Sequence, residues 1–221
     1  MFEESFECFP NRRACEYLDK FMTYRELDRH SKHFASYLQS LGLKPGSRVA
    51  IMLPNVLQFQ IAMLGVLRAG FVVVNVDPLY IARELEYQLK DSGASAIVIL
   101  ENFAHVDQQI SASVPLRKVM VTSLGEMIGM KGVVVNFVVR NVKRLVPARD
   151  LPDHITFNEA LSEGSRSRWS KPSTSLNDIA FLQYTGGTTG LSTGAILLHR
   201  NILSNVIQTE LWLEPGLKRK K

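Results

Sequence analysis

Short runs of apolar residues alternate with longer amphipathic stretches along most of the chain, and this alternation constrains the fold more than any other feature. The runs cover residues 48–53, 71–76, 96–100 and 179–183, and 118–121 is predicted as a further strand. A strand that is apolar along its whole length is typical of one buried on both faces. Because helical segments separate these strands, we expect βαβ units. The pattern predicts an α/β fold with a mostly parallel sheet and helices on both faces.

The clearest helix signal begins at Thr23 and ends at Leu41. Thr23 and Glu26 have the spacing of a capping box, in which each side chain accepts a hydrogen bond from the other residue's backbone. His30 and His33 lie three apart on this helix without a further ligand nearby, so we expect solvated histidines and no metal site. Further helices are predicted over 55–69, with Asn55 as the cap, 83–90 and 201–213.

A stretch rich in glycine and threonine follows the last buried strand. Glycines allow the backbone to approach a ligand closely, and successive N–H groups form a concave site for anionic oxygens. The stretch matches neither of the two common phosphate motifs, and the alternative is a flexible turn between two strands. We predict phosphate binding here, and no catalytic or metal residue. The predicted nucleotide-binding residues are Tyr184, Thr185, Gly186, Gly187, Thr188, Thr189, Gly190, Leu191, Ser192, Thr193, Gly194 and Ala195.

The composition is that of a globular protein, with 46% hydrophobic and 21% charged residues among 221. The net charge of +5 arises largely from 140–149, 166–171 and 218–221. No recognition helix or zinc spacing accompanies these basic segments, so nucleic acid is excluded as a partner. Cys8 and Cys15 lack matching ligands and are interpreted as inert thiols in a reducing cytosol.

We expect a cytoplasmic protein, because the acidic N-terminus lacks the apolar region of a signal peptide and no window approaches 18 continuous apolar residues. The segment 131–146 leaves two interpretations open. Asn136, Arg140, Lys143 and Arg144 share one face of a helical wheel, and six valine and leucine residues share the other. It is either a surface helix resting on anionic lipid with its apolar side down, or an ordinary surface helix or strand-rich packing element.

The residues from Phe181 to Gly190, together with Gly194-Ala and His199-Arg-Asn, resemble the nucleotide-binding signature of the acyl-adenylate-forming ligases. Within that family the chain most resembles the bacterial long-chain fatty-acid–CoA ligases, and the similarity covers nearly its whole length. The other motifs that carry it begin at Thr23, Arg68, Val74, Asp91, Val134 and Lys143.

The resemblance implies a two-step reaction. A fatty carboxylate attacks the α-phosphate of ATP in the presence of Mg²⁺, giving acyl-adenylate and pyrophosphate, and the thiol of coenzyme A then displaces AMP. The Gly/Thr stretch would hold the β- and γ-phosphates, a role that the resemblance assigns to Thr185, Gly186, Gly187, Thr188, Thr189, Gly190 and Gly194. The family takes up fatty acids at the inner membrane face, which implies peripheral association with an anionic membrane surface.

The chain departs from the family pattern in three ways. Thr193 stands where the family has a lysine, Ile81-Ala82 replaces a usual Thr-Pro, and the adenine, metal and catalytic-lysine motifs have no counterpart in 1–221. We therefore predict the incomplete N-terminal domain of an adenylate-forming ligase, with the C-terminal domain absent and an exposed sheet that favours homodimers or aggregation. The alternatives are a non-catalytic remnant that binds nucleotide or membrane, and a small phosphate-binding protein of another family.

Overall fold

A computed structural model of the chain describes residues 2–148, 151, 153–185 and 192–213. The strands are β1 (Arg13–Tyr17), β2 (Lys20–Thr23), β3 (Arg48–Met52), β4 (Val72–Asn75), β5 (Ala94–Leu100), β6 (Lys118–Thr122), β7 (Ile155–Thr156), β8 (Ile179–Thr185) and β9 (Thr193–Leu198). The helices are α1 (Phe2–Cys8), α2 (Tyr24–Ser40), α3 (Leu57–Arg68), α4 (Ala82–Ser92), α5 (Ala104–Ile110), α6 (Met130–Phe137), α7 (Phe157–Ser165) and α8 (His199–Leu213).

Seven strands form one sheet in the order β7-β6-β5-β3-β4-β8-β9. All neighbours in it are parallel except β8 and β9, which pair antiparallel. The five strands that the apolar runs predict are all present, at nearly the predicted bounds. The predicted mostly parallel sheet is therefore confirmed, and the antiparallel edge is the one exception to it.

Helices cover both faces of this sheet, as predicted. On one face Phe34 of α2 and Ile61 of α3 lie in a fully buried cluster that also includes Phe157 of α7. On the other face Leu85 and Leu89 of α4 pack against alternate residues of the same strands. Because each strand contributes side chains to both clusters, its apolar residues need no alternation with polar ones. A separate antiparallel ribbon, β1–β2, lies against α2 and α3.

The start of α2 confirms the predicted capping box. The amide N–H of Glu26 donates to Oγ1 of Thr23 at 3.2 Å, and the amide N–H of Thr23 donates to Oε2 of Glu26 at 2.8 Å. Two other expectations are wrong. Val56, not Asn55, precedes the first turn of α3 and provides no side-chain cap. His30 and His33 are partly buried instead of solvated, because α2 packs against its neighbours along most of its circumference.

The segment 131–146 is not one continuous α-helix. α6 ends at Phe137, and the chain continues as a π-helical turn, Val138–Val142. Within the described residues, no helix is long and apolar enough to cross a membrane.

Candidate functional site

The predicted phosphate-binding stretch connects β8 to β9 at the carboxyl end of β8. This is the edge at which ligands bind to open parallel sheets. Tyr184 and Thr185 end β8, Ser192 follows the connection, and Thr193, Gly194 and Ala195 begin β9. The six predicted residues between them, Gly186, Gly187, Thr188, Thr189, Gly190 and Leu191, lie outside the described residues.

Thr185 and Thr193 face each other across the mouth of this hairpin. They are cross-strand partners in the β8–β9 register, and both side chains are exposed. Directly opposite residues on one sheet face have Cβ atoms about 5 Å apart. The two hydroxyls therefore form an exposed pair of donors where the chain enters and leaves the loop.

Tyr184 is held in a different way from these threonines. Its side chain is only 9% exposed, and its hydroxyl donates to Oδ2 of Asp91, near the end of α4, at 2.5 Å. Burial raises the pKa of the Tyr184 phenol, and the hydrogen bond to Asp91 raises that pKa further. The phenol therefore stays a protonated donor at neutral pH. Its predicted role as a direct phosphate ligand stays a prediction.

Gly194 lies against the ring of Tyr184. The two residues are partners in the β8–β9 register, and a Cβ atom added at Gly194 would lie 2.9 Å from Cζ of the ring. Carbon atoms in proteins pack at about 3.5–4.0 Å. A side chain at 194 would displace the ring, so the close approach of β9 to Tyr184 explains this glycine.

Amide side chains fix the end of β8 and the end of its neighbour β4, and the contact to Gln183 lies on the sheet face opposite Tyr184. Nδ2 of Asn75, the last residue of β4, donates to Oε1 of Gln183 at 2.8 Å. Nε2 of the fully buried Gln88 donates to the backbone oxygen of Asn75 at 2.7 Å. Sequence reasoning missed the roles of Asp91, Asn75 and Gln88. The first two stand in stretches that carry the resemblance, but no local pattern reveals a partner 93 or 108 residues away.

A second, polar cavity of about 400 Å³ lies at the carboxyl ends of β5, β6 and β7, under α6. The side chain of Glu101 is 4% exposed, and its carboxylate accepts bidentate hydrogen bonds from the guanidinium group of Arg140 at 2.9–3.1 Å. Asn136 donates to Oγ of Ser123 at 2.9 Å, and its Oδ1 accepts the amide N–H of Gly125 at 2.8 Å. The polar face of α6 therefore points inward.

The apolar face of α6 points outward. Met130 is 89% exposed, and Val133, Val134, Phe137 and Val142 are also exposed. The strand-rich packing element considered for 131–146 is wrong, because residues 130–142 are helical, and the choice between an ordinary surface helix and a helix resting on lipid stays a prediction. Arg140 is also not the free surface cation that the helical wheel suggested, because Glu101 holds it.

Glu126 connects the strands around this cavity. Its carboxylate accepts hydrogen bonds from the hydroxyl of Thr122, the amide of Ser123 at 3.2 Å and the amide of Asn158 at 3.0 Å. Burial raises the pKa of Glu126, and these hydrogen bonds oppose the rise. Its three donors all come from the protein, so the geometry supports a structural role.

No group of three or more His, Cys, Asp or Glu side chains suited to a metal ion occurs in the described part of the chain. The donors that the described hairpin offers at the loop mouth are threonine and serine hydroxyls, which suit phosphate oxygens.

Comparison with known proteins relates this geometry to a family. The family model of the AMP-binding enzymes matches residues 2–219. A long-chain-fatty-acid–CoA ligase of Escherichia coli O6:H1 is 50% identical over 219 residues, which are 98% of this chain and 39% of that protein. The corresponding ligase of Bacillus subtilis is 32% identical over 206 residues. The chain thus spans about two fifths of the length of the curated relatives it matches.

Solved structures share the fold. The apo structure of Mycobacterium smegmatis MbtA superimposes with a TM-score of 0.74 at 25% identity, over 92% of this chain and 34% of that one. The ATP-bound structure of MatB from Rhodopseudomonas palustris gives a TM-score of 0.68 at 23% identity, over 88% of this chain and 33% of that one. The family model matches nearly the whole length of the chain, so the chain belongs to the AMP-binding enzyme family.

Proposed function

We propose that this chain is the first, nucleotide-binding portion of a long-chain fatty-acid–CoA ligase that forms AMP. The observation that carries the proposal is the 50% identity to a ligase of that name over 98% of the chain. In this proposal residues 1–221 form part of an adenylation domain, and the C-terminal domain of such a ligase lies outside them. The substrates are a fatty acid, ATP and coenzyme A.

In this proposal the Gly/Thr stretch, 184–195, holds the β- and γ-phosphates while the fatty carboxylate attacks the α-phosphate. Attack of one anion on another needs donors placed where negative charge develops. The exposed hydroxyls of Thr185 and Thr193 support this role, since they flank the loop at the carboxyl edge of the sheet. Mg²⁺ is proposed as a companion of the phosphates, as it commonly is. The described residues form no metal site of their own, and no step is assigned to the ion.

A chimera tests the ligase proposal. The 219 matched residues of the E. coli relative are replaced by those of this chain, and AMP and thioester are followed with ATP, Mg²⁺, a long-chain fatty acid and coenzyme A. Thr193 replaces the lysine expected from the family, and losing a charged hydrogen bond costs about ten- to a hundredfold in rate. We expect the chimera to turn over slower than the relative by that factor, and Thr193→Lys to restore most of the loss.

Two controls accompany the chimera. Replacing Thr188 and Thr189 by valine in it should abolish turnover, and the chain alone should make no acyl-CoA. A folded chimera that binds fatty acid but stays inactive, with or without Thr193→Lys, would contradict the proposal and favour a non-catalytic remnant.

We also propose that the protein is cytoplasmic and associates peripherally with an anionic membrane surface through α6. The supporting observation is the outward apolar face of Met130, Val133, Val134 and Phe137. An apolar helix face with cations beside it is typical of helices that lie in the membrane interface. Exposed Lys143 and Arg144 follow this face and add attraction of about 1 kcal/mol each near anionic lipid.

Vesicle sedimentation tests this second proposal. Changing Met130, Val133 and Phe137 to serine should release the protein from vesicles of anionic phospholipid at low salt. A matched control, Leu79→Ser with Leu176→Ser, removes exposed apolar side chains elsewhere and should leave binding unchanged. Equal sedimentation of all three proteins would contradict a role for α6.

Self-association is proposed through the surface of α8. Within the described residues no side chain of this helix is fully buried, and Ile207, Leu211, Trp212 and Leu213 are exposed. Exposed apolar patches of this kind mark interaction sites or sites of aggregation.

A further inference from the structure

Two side-chain contacts fix the end of β8 from opposite faces of the sheet. On one face the hydroxyl of Tyr184 donates to Asp91 of α4 at 2.5 Å. On the other face Asn75 of β4 donates to Gln183 at 2.8 Å. Gln183 and Tyr184 are the two residues before Thr185, where the Gly/Thr loop leaves the strand. The loop therefore starts at Thr185, and the two residues before it are each hydrogen-bonded to another element of the fold.

The hydrogen bond between Tyr184 and Asp91 is the stronger of the two contacts, because its acceptor is a carboxylate. A hydrogen bond from a hydroxyl to a carboxylate is shorter than a neutral one and roughly twice as strong. Asp91 is exposed, yet it accepts this bond at the short end of the range. The bond joins α4 to β8 across 93 residues of sequence, so it fixes the strand end relative to the helix beneath it.

The ring of Tyr184 holds the returning strand as well. Gly194 lies directly over it, and only a residue without a side chain permits this approach. One side chain thus sets the position of both strands of the hairpin, β8 through its backbone and β9 through its ring. Since ring and hydroxyl are both occupied and the side chain is nearly buried, little of it remains to face a ligand.

We infer that Tyr184 and Asp91 are positioning residues that hold Thr185 and Thr193, the residues at the mouth of the phosphate loop, in place, with Tyr184 acting through these neighbours instead of contacting phosphate. The inference rests on the proposed function, since it assumes that the loop binds the phosphates of ATP. Its physical basis is preorganisation: a loop already fixed at both ends loses less conformational freedom when the ligand binds.

The test measures Mg²⁺-ATP affinity of the full chain by calorimetry, together with the thermal unfolding midpoint of each variant. Tyr184→Phe keeps the ring over Gly194 and changes no charge, so it removes only the hydrogen bond. We expect affinity to fall about tenfold, the scale of one hydrogen bond to a charged group. Asp91→Asn keeps an acceptor oxygen but loses the charge, so it should weaken affinity less than Tyr184→Phe does.

A matched control separates positioning from general stability. Tyr37→Phe removes another buried phenol hydroxyl, in α2 on the opposite face of the sheet, and should leave affinity unchanged. Combining Tyr184→Phe with Asp91→Ala should weaken binding no further than Tyr184→Phe alone, because both remove the same contact. Faster amide hydrogen exchange at Thr185 in Tyr184→Phe, without a matching change in β3 and β5, would support the same conclusion.

The inference is overturned if Tyr184→Phe binds ATP as tightly as the unaltered chain, or if Tyr37→Phe weakens binding by the same factor. It is also overturned if the double variant loses affinity as the full product of the two single losses. A failure of the proposed function gives a different result: the unaltered chain then binds no ATP, and both proposals fall together.

Discussion

Thr193 stands at the mouth of the loop, exposed and opposite Thr185. A lysine at this place would extend an ammonium group toward phosphates held by the loop, whereas a hydroxyl offers a neutral donor. Charge-assisted hydrogen bonds are roughly twice as strong as neutral ones. The position in the hairpin therefore makes Thr193 the residue whose substitution should most strengthen phosphate binding.

We expect Thr193→Lys to tighten binding of ATP and of pyrophosphate by about ten- to a hundredfold. Binding should also become more dependent on salt, because the added attraction is screened. Titration calorimetry at two salt concentrations measures both effects. Thr209→Lys adds the same charge on exposed α8 and serves as the control. Equal affinities of Thr193→Lys and the unaltered chain would show that the loop does not bind phosphate.

His30 shows how packing changes a residue that the sequence suggests is solvated. Burial, with smaller contributions from the charges of Arg29 and His33, lowers its pKa to about 4. Among the described residues its Nδ1 is buried without a hydrogen-bond partner. The folded state therefore favours neutral imidazole. Between about pH 6.5 and 4 the unfolded chain binds the extra proton, so stability is lost as pH falls through this window.

Replacing His30 by glutamine should reduce this loss of stability at acid pH. Because the ring is partly exposed, solvent screening reduces the effect of the pKa shift, and we expect a loss of about 1–2 kcal/mol by pH 4. Denaturant unfolding at pH 7, 6, 5 and 4 measures the free energy of unfolding of both proteins. Taking the difference between the two free energies at each pH removes the contribution of other titrating groups. If the two unfolding free energies keep a constant difference over this range, His30 is not buried as described.

At the scale of elements, α4 begins without the cap that α2 and α7 possess. Thr23 and Thr156 each accept the N–H of a glutamate three residues later. At α4 the N-cap is Ile81, whose side chain cannot accept, although Glu84 already accepts the amide N–H of Ile81 at 3.0 Å. Half of a capping box is therefore in place.

Ile81→Thr should complete this box and stabilise the fold by about 1 kcal/mol. Ile81 is 62% exposed, so little packing is lost. For a protein of this size the melting temperature should rise by about 2–4 °C. Leu79→Thr changes an exposed apolar residue outside the cap and should give no rise. A melting temperature that falls or stays constant in Ile81→Thr would contradict the capping argument.

The sequence predicted the elements that depend on local patterns and failed where distant partners decide. Apolar runs located β3, β4, β5, β6 and β8 because strands buried on both faces have no polar positions. The sequence left the orientation of 131–146 open, because it depends on Glu101, which holds Arg140 of the π-helical turn from 39 residues away. A helical wheel assumes that apolar residues face the protein, and a buried carboxylate reverses that rule.

For the candidate site too, the sequence predicted the part that depends on local composition and not the part that depends on distant partners. Glycine and threonine at a strand end identified the loop from local composition. Asp91, which holds Tyr184 from α4, and Asn75, which holds Gln183 from β4, became visible only when the sheet order was known. Contacts across a parallel sheet join residues far apart in sequence, so no motif reveals them.

At the scale of the whole molecule, apolar surface remains uncovered along α8. A groove of about 460 Å³ also runs beside it, lined by residues such as Leu64, Phe181 and Ile202. We therefore expect the chain by itself to associate in solution through this face.

Light scattering after size-exclusion chromatography should show a mass above 24.9 kDa that rises with protein concentration. Leu211→Ser with Trp212→Ser, which removes a side chain 82% exposed, should shift the protein toward the monomer. Leu79→Ser serves as the control for exposed apolar surface elsewhere. A monomer at every concentration would contradict association through α8.

The central claim is that the stretch 184–195 binds the phosphates of ATP, and equilibrium binding of Mg²⁺-ATP to the chain tests it most directly. We expect saturable binding that pyrophosphate displaces. Replacing Thr188 and Thr189 by valine should weaken it by tenfold or more, since two hydroxyl donors are lost, while thermal unfolding stays as in the unaltered chain. Absence of saturable binding, or equal affinity of the valine variant, would contradict the account.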